Sequence, residues 1–85
     1  MTKQECEAVR QTFCILERLR DVAGNASAEA YDTDDMTTFS RLVGDVDMYT
    51  DALYVLGRLL AREGAARWRD FKYELTPTAE SGGGR

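Results

Sequence analysis

The chain has 85 residues, 44% of them hydrophobic, a formal net charge of −4 and no histidine. A length this short implies one thin core that hides only about 60–65% of the unfolded chain's surface, so pairing with another copy or another protein is a common route to stability. Without imidazole the chain lacks the usual general base near neutral pH and the commonest metal ligand, and an acidic balance argues against generic nucleic-acid binding, which needs a dominant basic face.

The first helix is announced by Thr2 and Glu5, the spacing of a capping box. Beyond it, Cys6, Val9, Phe13 and Leu16 form one helical stripe, and Ala8, Thr12, Ile15, Leu19 and Val22 form an adjacent one. An apolar arc this wide exceeds what one neighbouring helix covers. Gly24-Asn25 reads as the helix stop, followed by a linker over residues 25–33 (NASAEAYDT). Cys6 falls on the buried stripe and Cys14 on the polar arc. Eight residues apart on one helix, about 12 Å along the axis, they can share neither a disulfide nor a metal.

Thr33, followed by Asp34 and Asp35, predicts the entrance of a second helix, with a capping hydroxyl and two carboxylates at the positive end of the helix dipole. From there Phe39, Leu42, Val46, Tyr49, Leu53, Leu56 and Leu60 recur in steps of 3 and 4, the alternation of a heptad seam. This row is the expected oligomer interface, with Met48, Ala52, Val55 and Leu59 widening it. The helix is expected to run from 34 to 63, continuous or kinked at Gly44, and to end near Gly64.

The segment ARWRDFKYEL (66–75) reads two ways. Trp68, Phe71 and Leu75 fit a helix, whereas Phe71, Tyr73 and Leu75 alternate with Lys72 and Glu74 as in a strand. A short C-terminal helix is preferred here, because one strand would have nothing to pair with. The expected architecture is thus an all-α bundle: an N-terminal helix packed antiparallel on a long second helix, then a short third one. Residues 1–75 form a single helical domain, 76–85 a disordered tail, and the whole is oligomeric.

Charge is uneven along the chain. Residues 25–51 carry Glu29, Asp32, Asp34, Asp35, Asp45, Asp47 and Asp51 against Arg41 alone, while Arg58, Arg62, Arg67, Arg69 and Lys72 make a weaker basic patch. An EF-hand loop counted from Asp32 fails, with Thr37 where the turn glycine belongs and Val43 where the bidentate glutamate belongs. Asp47 and Asp51 share a helix face but lack an opposing carboxylate pair, so no metal or cofactor is expected. The glycine run GGGR lies in the tail, not between a strand and a helix as a phosphate loop would. No apolar run of membrane-spanning length occurs and MTKQECEAVR lacks a signal-peptide core, which makes a cytoplasmic location the expectation and the Asn25-Ala26-Ser27 sequon idle.

Asp47, Asp51, Tyr54, Arg58 and Arg62 fall along one ridge of the second helix. Aromatic and arginine side chains are enriched at binding hot spots, so Asp47, Asp51, Tyr54, Arg58 and, separately, Trp68 between Arg67 and Arg69 are the candidate partner contacts. The expected function is a non-enzymatic protein–protein interaction module that binds or blocks a macromolecular partner. In size and acidity the chain is similar to small phage-encoded inhibitors of bacterial defence, anti-CRISPR proteins among them, without a shared motif. That likeness implies a second reading, an acidic mimic of nucleic acid. A third is a nucleotide-binding or hydrolysing protein with carboxylates converging between subunits, although the Glu-x-x-Glu pairs of helical pyrophosphohydrolases are missing.

Overall fold

The computed structural model describes residues 1–77 and contains two long antiparallel helices followed by a two-stranded hairpin: α1 (Lys3–Asp32), α2 (Met36–Arg62), β1 (Ala66–Arg69) and β2 (Lys72–Leu75). The fold is mostly helical but not all-α. The expected disorder of the tail concerns mainly residues 78–85, which lie outside the described residues.

The capping box forms as expected: Glu5 N–H donates to Thr2 Oγ1 at 3.0 Å and Thr2 N–H donates to Glu5 Oε1 at 2.8 Å. These two bonds satisfy two of the amides that a helix start leaves without partners. The predicted stop at Gly24-Asn25 is corrected, since α1 continues through the supposed linker to Asp32. Three alanines (26, 28 and 30) favour helix, and Ala23 and Ala30 are buried. That gain outweighs the roughly 1 kcal/mol that a helical glycine costs. Small residues hide their periodicity in a sequence because a methyl group registers weakly as apolar.

The turn between the helices is a Schellman motif. Asp34 takes the left-handed position (φ 62°), its N–H donates to the carbonyl of Tyr31 at 3.1 Å, and Asp35 N–H donates to that of Ala30 at 2.8 Å. Thr33 is therefore not the cap of the second helix: its hydroxyl bonds back to the Glu29 carbonyl, and Asp35 is the N-cap, accepting from Thr38 N–H at 3.2 Å. Helix α2 passes unbroken through Gly44 and closes on a second Schellman turn at Gly64 (φ 74°), with Ala65 N–H donating to the Leu60 carbonyl at 2.9 Å.

The expected third helix is instead a β-hairpin. Ala66 pairs with Leu75, Arg67 with Glu74, Trp68 with Tyr73 and Arg69 with Lys72. The segment supplies its own partner strand by turning at Asp70-Phe71, where both residues have positive φ (54° and 65°), as a two-residue type I′ turn requires. Neither residue is glycine or asparagine, so the usual turn signal is absent from the sequence.

Phe13, Leu53, Leu60 and Ala66 form the buried centre, with Cys6, Val9, Leu16, Leu56, Tyr73 and Leu75 packed around it. Fully burying Phe13 and Leu60 stabilises the fold by about 1.5–3 kcal/mol each. The hairpin reaches this centre because Gly57 has no side chain, which lets Tyr73 lie directly on α2. Arg10 of α1 pins the hairpin's base, donating from Nη1 to the Thr76 carbonyl at 2.8 Å and to that of Ala65 at 3.3 Å. The molecule is a rod of 51 × 23 × 23 Å. Two parallel cylinders touch along one line only, so the hairpin covers part of one side of that line and leaves the opposite side bare.

Candidate functional site

The hairpin carries its residues to two faces. Arg67, Arg69, Lys72 and Glu74 alternate outward, with Glu74 bridging Arg67 (3.6 Å) and Arg69 (3.9 Å), whereas Trp68 and Tyr73 turn toward α2. There they meet Tyr54 in a three-ring cluster: Tyr54–Trp68 centroids are 5.5 Å apart, Tyr54–Tyr73 5.7 Å and Trp68–Tyr73 4.9 Å, all tilted or edge-to-face. Aromatic pairs at these separations contribute about 0.5–1.5 kcal/mol beyond their burial.

The cluster is not closed over. Tyr54 is 49% exposed, Trp68 48%, and Phe71 at the hairpin tip 93%. A phenylalanine held in left-handed backbone and projecting into water is unfavourable twice over, in conformation and in hydration. Between these rings and α1 runs a shallow cleft of about 50 Å³, lined by Phe13, Glu17 and Arg20 on one wall and Trp68, Phe71 and Tyr73 on the other. It accommodates a side-chain tip, far short of the roughly 300–1,000 Å³ of a metabolite pocket. A wider open depression of about 970 Å³ lies at the far end of the rod, between Met1, Cys6, Arg10, Ala65 and Pro77.

Of the five candidate partner residues, Tyr54 and Trp68 are brought into ring contact although 14 positions separate them in sequence. Asp47, Asp51 and Arg58 are exposed along the outer ridge of α2 beside Tyr54. Phe71, Lys72 and Tyr73 border the same cleft, and none of them is among the partner contacts expected from the sequence. The period-2 alternation of residues 71–75 was the available signal, and it becomes decisive only once a partner strand is recognised.

The heptad row faces α1 of its own chain. Leu53 and Leu60 are buried there, Leu42, Val46, Tyr49 and Leu56 are half-buried, and Phe39 meets Tyr31 with ring centroids 5.3 Å apart. Cys6 packs against the core and Cys14 is exposed. The carboxylates of the central segment do not gather in one place: Asp35 caps α2, Asp45 is half-buried, and Asp47 and Asp51 line the outer ridge. Among the described residues no three cysteine or carboxylate side chains converge as a metal-ligand set, and no helix is long and apolar enough to cross a membrane. Thr38 bonds hold the Asp35 carboxyl below its ordinary range, and those of Thr2 do the same for Glu5. Both shifts belong to helix caps, not to a reactive group. No protein-family model, curated protein or solved structure matches the chain.

Proposed function

We propose that this chain is a non-enzymatic interaction module that binds or blocks another protein through the aromatic end of its hairpin. The observation that carries the reading is Phe71, 93% exposed in left-handed backbone beside the half-exposed Tyr54 and Trp68. Exposed aromatics on a rigid two-residue turn lose little side-chain freedom on binding, and aromatic anchors flanked by arginine are the residues that dominate protein interfaces. Lys72, Arg58 and Arg20 stand among Glu17, Asp51 and Asp70 around the rings, so the partner surface best suited to it has an apolar hollow with polar groups of both signs at its edge.

The test is capture of a stoichiometric partner from extract of the native host by the tethered chain, compared across variants. Trp68→Ala and Phe71→Gly are expected to release that partner, each weakening binding by more than tenfold, while Asp47→Lys with Asp51→Lys retains it. The reverse pattern, loss on charge reversal and retention by the hairpin variants, would instead indicate mimicry of nucleic-acid phosphates.

A further inference from the structure

The hairpin occupies one side of the helix pair, and the other side is apolar and bare. Ile15 (59% exposed), Leu19 (41%) and Val22 (61%) on α1 adjoin Met48 (57%) and Val55 (66%) on α2. Helical phase puts both rows away from Gly57 and Glu17, the positions that meet or border the hairpin. The α1 row runs without a charge from Ala8 to Ala26, about 27 Å, and two helices roughly 10 Å apart make a face about 20 Å wide. Such a face covers about 540 Å² before its corrugation is counted, at the upper end of the roughly 300–600 Å² of the largest apolar patch on a soluble monomer and approaching the roughly 800 Å² per partner that specific dimers bury.

The rows are also self-complementary. Along α2 the order is Asp45, Met48, Ala52, Val55, Leu59, Arg62, in steps of 3, 4, 3, 4 and 3 that read the same in either direction. The α1 row steps 4, 3, 4, 3 and 4 about a midpoint between Ile15 and Leu19. Counting 14 residues away from the Tyr31–Phe39 contact brings residue 17 level with residue 53, so the two rows share one midpoint. A two-fold axis through that midpoint, perpendicular to the helices, superposes each row on its own antiparallel copy. It sets Asp45 of each molecule against Arg62 of the other, and within the chain neither residue makes a salt bridge among the described residues. A two-fold along the rod would instead bring both Asp45 carboxylates to one level of the interface. At the outer ends of the α1 row, Glu29 would approach Glu5, whose carboxylate is turned back onto the Thr2 amide.

We infer that two copies of this chain pair through this face, α1 against α1 and α2 against α2, into an antiparallel four-helix bundle that leaves both aromatic hairpins outside. The pairing rests on different residues from the proposed partner surface, so either can fail alone.

Sedimentation equilibrium of the full chain at 1–100 µM tests it (concentrations roughly bracketing micromolar affinity). A dimer is expected, and Leu19→Glu or Val55→Glu, both at exposed positions, is expected to give a folded monomer by far-UV circular dichroism. Asp45→Arg should weaken the dimer roughly tenfold, and adding Arg62→Asp should restore it. Those two positions lie about 25 Å apart along one helix, so rescue arises only between molecules. Trp68→Ala and Phe71→Gly should leave the dimer intact. A monomer at 100 µM, a dimer indifferent to Val55→Glu, a double charge swap that fails to recover association, or a dimer lost on changing the hairpin would each overturn the inference.

Discussion

A Cβ atom added to Gly57 would lie 2.5 Å from Cβ and Cγ of Tyr73, which identifies this glycine as the seat on which the hairpin rests. The nearest atoms are next to the β2 backbone, so rotating the tyrosine ring does not relieve the overlap. Gly57→Ala gains helix propensity of about 1 kcal/mol yet forces the strand away from α2, and overpacking of this kind costs about 1–3 kcal/mol. The expected outcome is a lower melting temperature together with loss of near-ultraviolet circular dichroism from the three-ring cluster. Gly44→Ala is the control. A Cβ there meets nothing within 4 Å, so the same substitution should stabilise.

Arg10 is the corresponding clamp on the α1 side. Its guanidinium serves the carbonyls of both Thr76 and Ala65 from a half-buried position. Charge-assisted bonds of this kind contribute about 1.5–3 kcal/mol, so Arg10→Ala should lower stability by that order in a denaturant titration. Arg10→Lys should recover only part of it, because an ammonium lacks the planar fork. An unchanged midpoint for Arg10→Ala would show that Thr76 is held without it.

The helix starts make stability depend on acid. Glu5 and Asp35 each have a folded-state pKa below the ordinary value, through hydrogen bonds with Thr2 and Thr38 respectively. A lowered pKa means that the folded form holds its proton less tightly than the unfolded one. The stabilisation is therefore fully present above the unfolded value, near pH 4, and is lost as pH falls through the lower folded values. Melting temperatures measured from pH 7 to pH 3 should fall through that window. The Glu5→Gln, Asp35→Asn variant keeps the oxygen acceptors, so it should show a shallower fall and little change at pH 7.

Phe71 sets stability against binding. Glycine adopts positive φ without the Cβ penalty, so Phe71→Gly in the hairpin turn should stabilise the chain by about 1 kcal/mol while weakening partner capture. A variant that is both less stable and fully competent to bind would contradict the role assigned to the ring.

Local physical chemistry was legible from the amino-acid order alone: the Thr2–Glu5 capping box, the antiparallel helix pair, the 3-4 row from Phe39 to Leu60 and the stop at Gly64. Each is encoded in helical periodicity or in the chemistry of a helix end. The tertiary structure decided the rest. Alanines 23 and 30 extend α1 past Gly24 because α2 is long enough to cover them, and the 66–75 segment becomes a hairpin because Gly57 opens a seat for Tyr73. Which apolar row stays bare was likewise settled by packing. Two neighbouring rows on α2 are both greasy, and only the position of α1 determines that Leu53 and Leu60 turn inward while Met48 and Val55 face water. Periodicity gives the phase of a helix about its own axis, but the direction of its neighbours is a property of the assembled chain.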